Sequence, residues 1–113
     1  MPIKRQMEVK MVKHVVSWNY AEGFTAEENQ SHALQIKQEL EQLKSLIPGI
    51  VSLEVFINPL EASSDKDILL DSVFESEAAL QAYVVHTEHV RVGTNFVKPF
   101  TKNRSCIDVV YGE

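Results

Sequence analysis

The sequence predicts an α+β domain whose elements run β-α-β-β-α-β, and three observations carry that order. Val12, His14, Val16, Trp18 and Tyr20 alternate with Lys13, Val15, Ser17 and Asn19, the two-residue period of a strand rich in β-branched residues. Thr25 and Glu28 make a T-x-x-E capping box, after which Ile36, Leu40, Leu43 and Ile47 recur at helical spacing until Pro48-Gly49 ends the run. Two more strand-like stretches, residues 50–58 and 68–74, flank the polar segment 59–67, as the arms of a hairpin flank its loop. This order is the split βαβ of the ferredoxin-like arrangement, an antiparallel sheet with helices on one face.

The remaining elements follow the same logic. Ser76 is placed to cap a second helix through Ala78, Ala79, Leu80, Tyr83 and Val84. Thr87 and residues 89–100 suggest a further short helical piece, and residues 105–111 form the final strand. The first ten residues, MPIKRQMEVK, have no sustained period and read as an N-terminal extension to a domain spanning 11–113. Reading along the strands, Val51, Leu53, Val55 and Ile57 fall on one side, while Ile50, Phe56, Ile68, Leu70 and Phe74 fall on positions of opposite parity. A sheet apolar on both sides is buried on both sides. Two helices cover one face, so the other is expected to be closed by a second copy, giving a homodimer.

Composition narrows the function. A chain of 113 residues is one domain. No apolar run approaches the roughly 20 residues that span a bilayer. With 11 basic against 16 acidic residues and a net charge of -5, the chain repels a nucleic acid backbone on average. Lys4, Arg5, Lys10 and Lys13 are not followed by the apolar core of a signal peptide. The single cysteine, Cys106, cannot pair within the chain and reads as a small buried hydrophobe, which suits a reducing cytoplasm.

The densest set of titratable side chains is Tyr83, His86, Glu88, His89 and Arg91. On a continuous helix Tyr83, His86 and His89 stand three apart and converge on one pocket. There a histidine can take a proton while a tyrosine hydroxyl bonds a carbonyl. The alternative is that His86 and His89 serve the end of the helix, bonding backbone groups. His14, mid-strand on the face of Val16 and Trp18, must find a polar partner and can face the same cavity. No metal site is expected, because there is no H-E-x-x-H, no cysteine cluster and no carboxylate loop. His32 reads as a solvated residue on the first helix, and Asp65, Asp67 and Asp71 fit no calcium loop. No nucleophile elbow, P-loop or dinucleotide fingerprint occurs.

Three segments carry a family resemblance: Met11-Val12-Lys13-His14-Val15-Val16, Leu46-Ile47-Pro48-Gly49, and Leu80-Gln81-Ala82-Tyr83-Val84-Val85-His86-Thr87-Glu88-His89-Val90. From Met11 to Tyr111 the chain resembles the stress-responsive A/B barrel domain family, or Dabb, whose members are dimeric α/β barrels. The resemblance implies no cofactor and a small cavity near His14, Tyr83 and His89. A plant polyketide cyclase belongs to the family, and by that resemblance His89 is the general base and Tyr83 its partner, with His14 and His86 near the pocket; Trp18, on the His14 face of strand one, is a further candidate ligand contact. Thr87 stands where many members have proline. Three functions follow as expectations: binding of a small apolar or aromatic ligand, with a tie to stress response; a cofactor-free cyclase or lyase; and, by fold analogy alone, a cofactor-independent monooxygenase.

Overall fold

The structure, a computed structural model, describes residues 9–112. Residues 1–8, most of the expected extension, lie outside the described residues. In chain order it contains β1 (Met11–Tyr20), α1 (Ala26–Leu46), β2 (Ile50–Phe56), β3 (Ile68–Phe74), α2 (Glu77–Val85), α3 (Thr87–Val92) and β4 (Thr101–Tyr111). A π-helical turn at Gly93–Val97 and a 3-10 turn at Lys98–Phe100 connect α3 to β4. The sheet order is β2-β3-β1-β4, with every pair antiparallel. The ferredoxin-like order expected from the sequence is the one observed.

Each helix starts and stops for a local reason. Thr25 Oγ1 accepts from the Glu28 backbone N–H at 3.1 Å, and Glu28 Oε1 accepts from the Thr25 N–H at 2.8 Å, closing the capping box of α1. The helix ends when Ile47 turns extended, and Gly49 then takes φ +91°, a left-handed conformation that side chains resist. A Cβ on Gly49 would stand 2.8 Å from the Ala79 Cβ, so the same glycine lets α2 pack against the turn. Ser76 Oγ caps α2 by accepting from Ala79 N at 3.0 Å.

Ala33, Ile36, Leu40 and Leu43 of α1 pack on the covered face of the sheet, against Val16, Val55, Ile68, Leu70 and Phe74. At the β2 edge, Lys37 Nζ donates to the Val55 carbonyl at 2.6 Å, and Glu41 Oε2 accepts from the Val55 N–H at 2.9 Å and from Lys37 at 2.7 Å. The helix thereby occupies backbone groups that an edge strand otherwise leaves open.

Several sequence readings are corrected. Ile68, Leu70 and Phe74 do not lie on the face away from Leu53 and Val55 but share theirs. Val55 pairs with Leu70, and Ile68, Leu70 and Phe74 are buried beneath the helices with Val55. The uncovered face instead carries Phe56, Leu69, Ile107 and Val109, all exposed. A register shift between Ile50 and Ser52 turns Val51 out to 45% exposure. β2 stops at Phe56 rather than at residue 58, and β4 begins at Thr101 rather than 105, with Asn103 adopting φ 56° beside the irregularity between Ser17 and Asn19. Cys106 is exposed because β4 reaches beyond the helices. His32 is not simply solvated: its ring stacks on Phe100 at 3.8 Å and meets Phe24 edge-on at 4.7 Å. Asp67 accepts from Tyr20 N and Asn19 Nδ2, and Asp71 pairs with Lys13 at 3.4 Å, which are structural roles.

Gly49→Ala is expected to lower unfolding free energy by about 2 kcal/mol, since it combines left-handed strain with a contact that α2 must relieve. Urea denaturation checks this; an unchanged midpoint would refute the packing argument.

Candidate functional site

A cavity of about 110 Å³ lies between the covered face of the sheet and the segment from α2 through the π turn. Val16 and Trp18 of β1, Leu40 of α1, Leu70 of β3 and Val97 form apolar walls, and His14, Tyr83 and His89 complete the lining. Lys98 and Arg104, both exposed, stand at the rim. An apolar cavity of roughly 150 Å³ accepts benzene. The space here therefore suits a smaller apolar end, with the rest of a ligand at the mouth.

A break in the helix positions His89. α2 stops at Val85, and His86 adopts φ -63°, ψ 138° and accepts from the Glu88 N–H through Nδ1 at 3.1 Å, starting α3. The last carbonyls of α2 lack helical partners. His89 Nδ1 donates to one of them, Val84 O, at 2.9 Å. That bond fixes the tautomer, with the proton on Nδ1 and an acceptor lone pair on Nε2. Burial lowers the His89 pKa below its ordinary value, reinforced by the charges of His14, Arg104 and Lys98 and opposed by the bond to Val84. His89 is a neutral base at pH 7.

Tyr83 lies between the two histidines, its ring 4.3 Å from that of His89 and 6.2 Å from that of His14, centroid to centroid. The residue is fully buried, and its hydroxyl has no hydrogen-bond partner. Burial pushes the phenol well above its usual range, so it remains a donor. An unpaired buried hydroxyl costs roughly 1–3 kcal/mol, a cost offset when a ligand oxygen accepts from it.

His14 finds its partner on β4, with Asp108 directly across in the antiparallel register. Its Nδ1 donates to Asp108 Oδ1 at 2.5 Å, and Cys106 Sγ lies 3.8 Å from the same nitrogen. Donor atoms of His14, Cys106 and Asp108 all fall within 4.8 Å of one another, which makes them the metal-capable trio among the described residues. On a tetrahedral zinc with bonds of about 2.0–2.1 Å, nitrogen and oxygen ligands would stand roughly 3.3 Å apart. His14 and Asp108 are in direct contact, closer than two ligands of one zinc ion stand. Partial desolvation and the Asp108 charge raise the Cys106 pKa, so its sulfur stays protonated.

Of the residues singled out in the sequence, the structure brings His14, Trp18, Tyr83 and His89 around one cavity. His86 does not line it, because the helix does not continue through that position and its ring caps α3. Asp108, Arg104 and Lys98 were not anticipated. Their approach depends on the pairing of β4 with β1 and on the turns before it, which no local period encodes.

The family profile for the stress responsive A/B barrel domain matches residues 12–111. The chain belongs to this family. The A/B barrel domain is similar to a solved dimeric protein of unknown function with a ferredoxin-like fold from Bacteroides fragilis. The two are 28% identical over 89% of this chain and 96% of that one, with a TM-score of 0.81. A Dabb family protein from Mesorhizobium loti is 21% identical over 92% and 99% of the two chains, TM-score 0.71. The hydroxynitrile lyase of Passiflora edulis is 15% identical over 94% and 97%, TM-score 0.76, a likeness of fold alone. No curated protein sequence matches the chain.

Tyr83→Phe removes an unpaired buried hydroxyl without changing packing. It is expected to leave stability unchanged or raise it by about 1 kcal/mol, read as a thermal midpoint up by a few degrees. A clear loss of stability would show that the hydroxyl serves the fold.

Proposed function

We propose that this A/B barrel protein binds a small molecule with an apolar end and a carbonyl oxygen, and acts on it as a cofactor-free proton-transfer enzyme of the lyase or cyclase kind. The observation that carries the reading is His89, anchored through Nδ1, held neutral, and lining a cavity beside a buried phenol with no other partner. Nε2 takes a proton from the carbon next to the carbonyl, or from a hydroxyl. For the carbon acid, the electron pair of the broken C–H bond moves into the carbonyl, and the developing oxyanion accepts from Tyr83. His14, held by Asp108, borders the same space. Passive binding of an apolar ligand uses the same walls but gives no use to the fixed tautomer.

Two features support a homodimer. The uncovered sheet face exposes Phe56, Leu69, Ile107 and Val109, an apolar surface of the kind that monomers rarely leave open. A relative at 28% identity is described as dimeric. Among the described residues, no helix is long and apolar enough to cross a membrane.

Deuterium exchange from D₂O into the α-carbons of 4-methyl-2-pentanone, followed by NMR, tests the chemistry. His89→Gln should slow enzyme-catalysed exchange by about 10²- to 10⁴-fold; binding without exchange in the wild type would leave only a carrier. The base must be unprotonated and its pKa is lowered, so the rate should rise with pH below 6.5 and be level by pH 7. A limb centred above 6.5 would contradict the assignment. Sedimentation should give twice the chain mass, and Ile107→Lys on the open face should give the monomer.

A further inference from the structure

Most cations of the described residues are already engaged. Lys13 pairs with Asp71, Lys37 with Glu41, Arg91 with Glu39 and Glu88, and Lys102 with Glu22. Lys66 donates to Asn103 O and Ser105 Oγ. Lys44 stands in the last turn of α1, where helix carbonyls favour positive charge. Lys98 and Arg104 stand outside any ion pair among the described residues, Arg104 keeping only a hydrogen bond to the Cys106 sulfur, in a chain with 16 acidic side chains against 11 basic ones. Both line the same cavity as His89 and as Tyr83, whose buried hydroxyl is unpaired. They come from different elements, Lys98 from the turn after α3 and Arg104 from β4, so no single charged stripe accounts for their meeting.

We propose that the ligand of this cavity carries a compact anionic group, a carboxylate or its equivalent, held at the rim by Arg104 and Lys98 while its apolar end enters between Val16, Trp18 and Val97. The inference rests on the small-molecule reading above and adds the substrate class: a small oxo acid. The cavity has three kinds of wall, and such a molecule has three matching parts. Its tail meets the aliphatic and indole surfaces, its carbonyl oxygen accepts from Tyr83, and its carboxylate meets the cations. A guanidinium supplies paired donors suited to a carboxylate, and an ammonium adds a point charge. A neutral ligand of equal size leaves both cations without a counter-charge.

Trp18 is the chain's one tryptophan and lines the cavity, so its fluorescence reports occupancy directly. The probes are 4-methyl-2-oxopentanoate and its amide, alike in size and differing in charge. The carboxylate should bind on the order of tenfold more tightly at low salt. The gap should shrink at roughly 0.5 M salt, where screening acts over only a few ångströms. In the double variant Arg104→Gln, Lys98→Gln, the gap should close with amide affinity unchanged. Both side chains are exposed, so the substitutions leave the core intact. Equal affinities in the wild type, or a gap that persists in the double variant, would overturn the anionic preference while leaving the cavity as a small-molecule site. A Trp18 signal that answers neither probe would overturn both.

Discussion

A helix that stops leaves carbonyls behind, and the site depends on what becomes of them at the end of α2. Val84 O is one such carbonyl, and His89 Nδ1 takes it. That single bond does three things: it completes the helix end, ties the start of α3 to the end of α2, and decides which imidazole nitrogen carries the proton. Structural and chemical uses of this histidine are therefore one interaction. The break at His86 is its precondition, because on a continuous helix Val84 O would be claimed by a backbone N–H four residues on.

The polar groups of the covered sheet face obey the same accounting. His14 sits in an otherwise apolar row with Val12, Val16 and Trp18, and Asp108 answers it from the neighbouring strand. Ser72, across from His14 on the other side, donates to the His14 carbonyl at 2.8 Å. Against this background the Tyr83 hydroxyl stands out: it is deep, packed on Phe74 and His89, and among the buried polar atoms of the cavity lining it is the one without a hydrogen-bond partner. A fold that satisfies its other interior groups near this point leaves one donor for something from outside.

Much of this was legible in the sequence, for identifiable reasons. Caps and periods are local, so Thr25, Ser76, Pro48-Gly49 and the alternation of β1 located their elements. His14, Tyr83 and His89 stood out as polar groups in an apolar context, and they do meet. What failed was nonlocal. The bulge at Val51 turned that residue out of the buried row of β2, and the pairing of Val55 with Leu70, which no local period encodes, put Ile68, Leu70 and Phe74 on the covered face. Asp108 and Cys106 meet His14 through a register that only pairing defines, and Arg104 reaches the rim because β4 starts four residues earlier than its apolar run. His86 was read on a continuous helix, and the chain instead used it as a cap.

The clamp of Lys37 and Glu41 on Val55 has a consequence for how copies of this domain can gather. A sheet grows without limit when both margins accept strands, and amyloid is the extreme case. Here a strand arriving beside β2 must first displace a carboxylate from the Val55 N–H and an ammonium from the Val55 carbonyl. Chain-to-chain propagation is thereby interrupted at one margin. Association is steered toward a closed, countable assembly and away from an open-ended fibre.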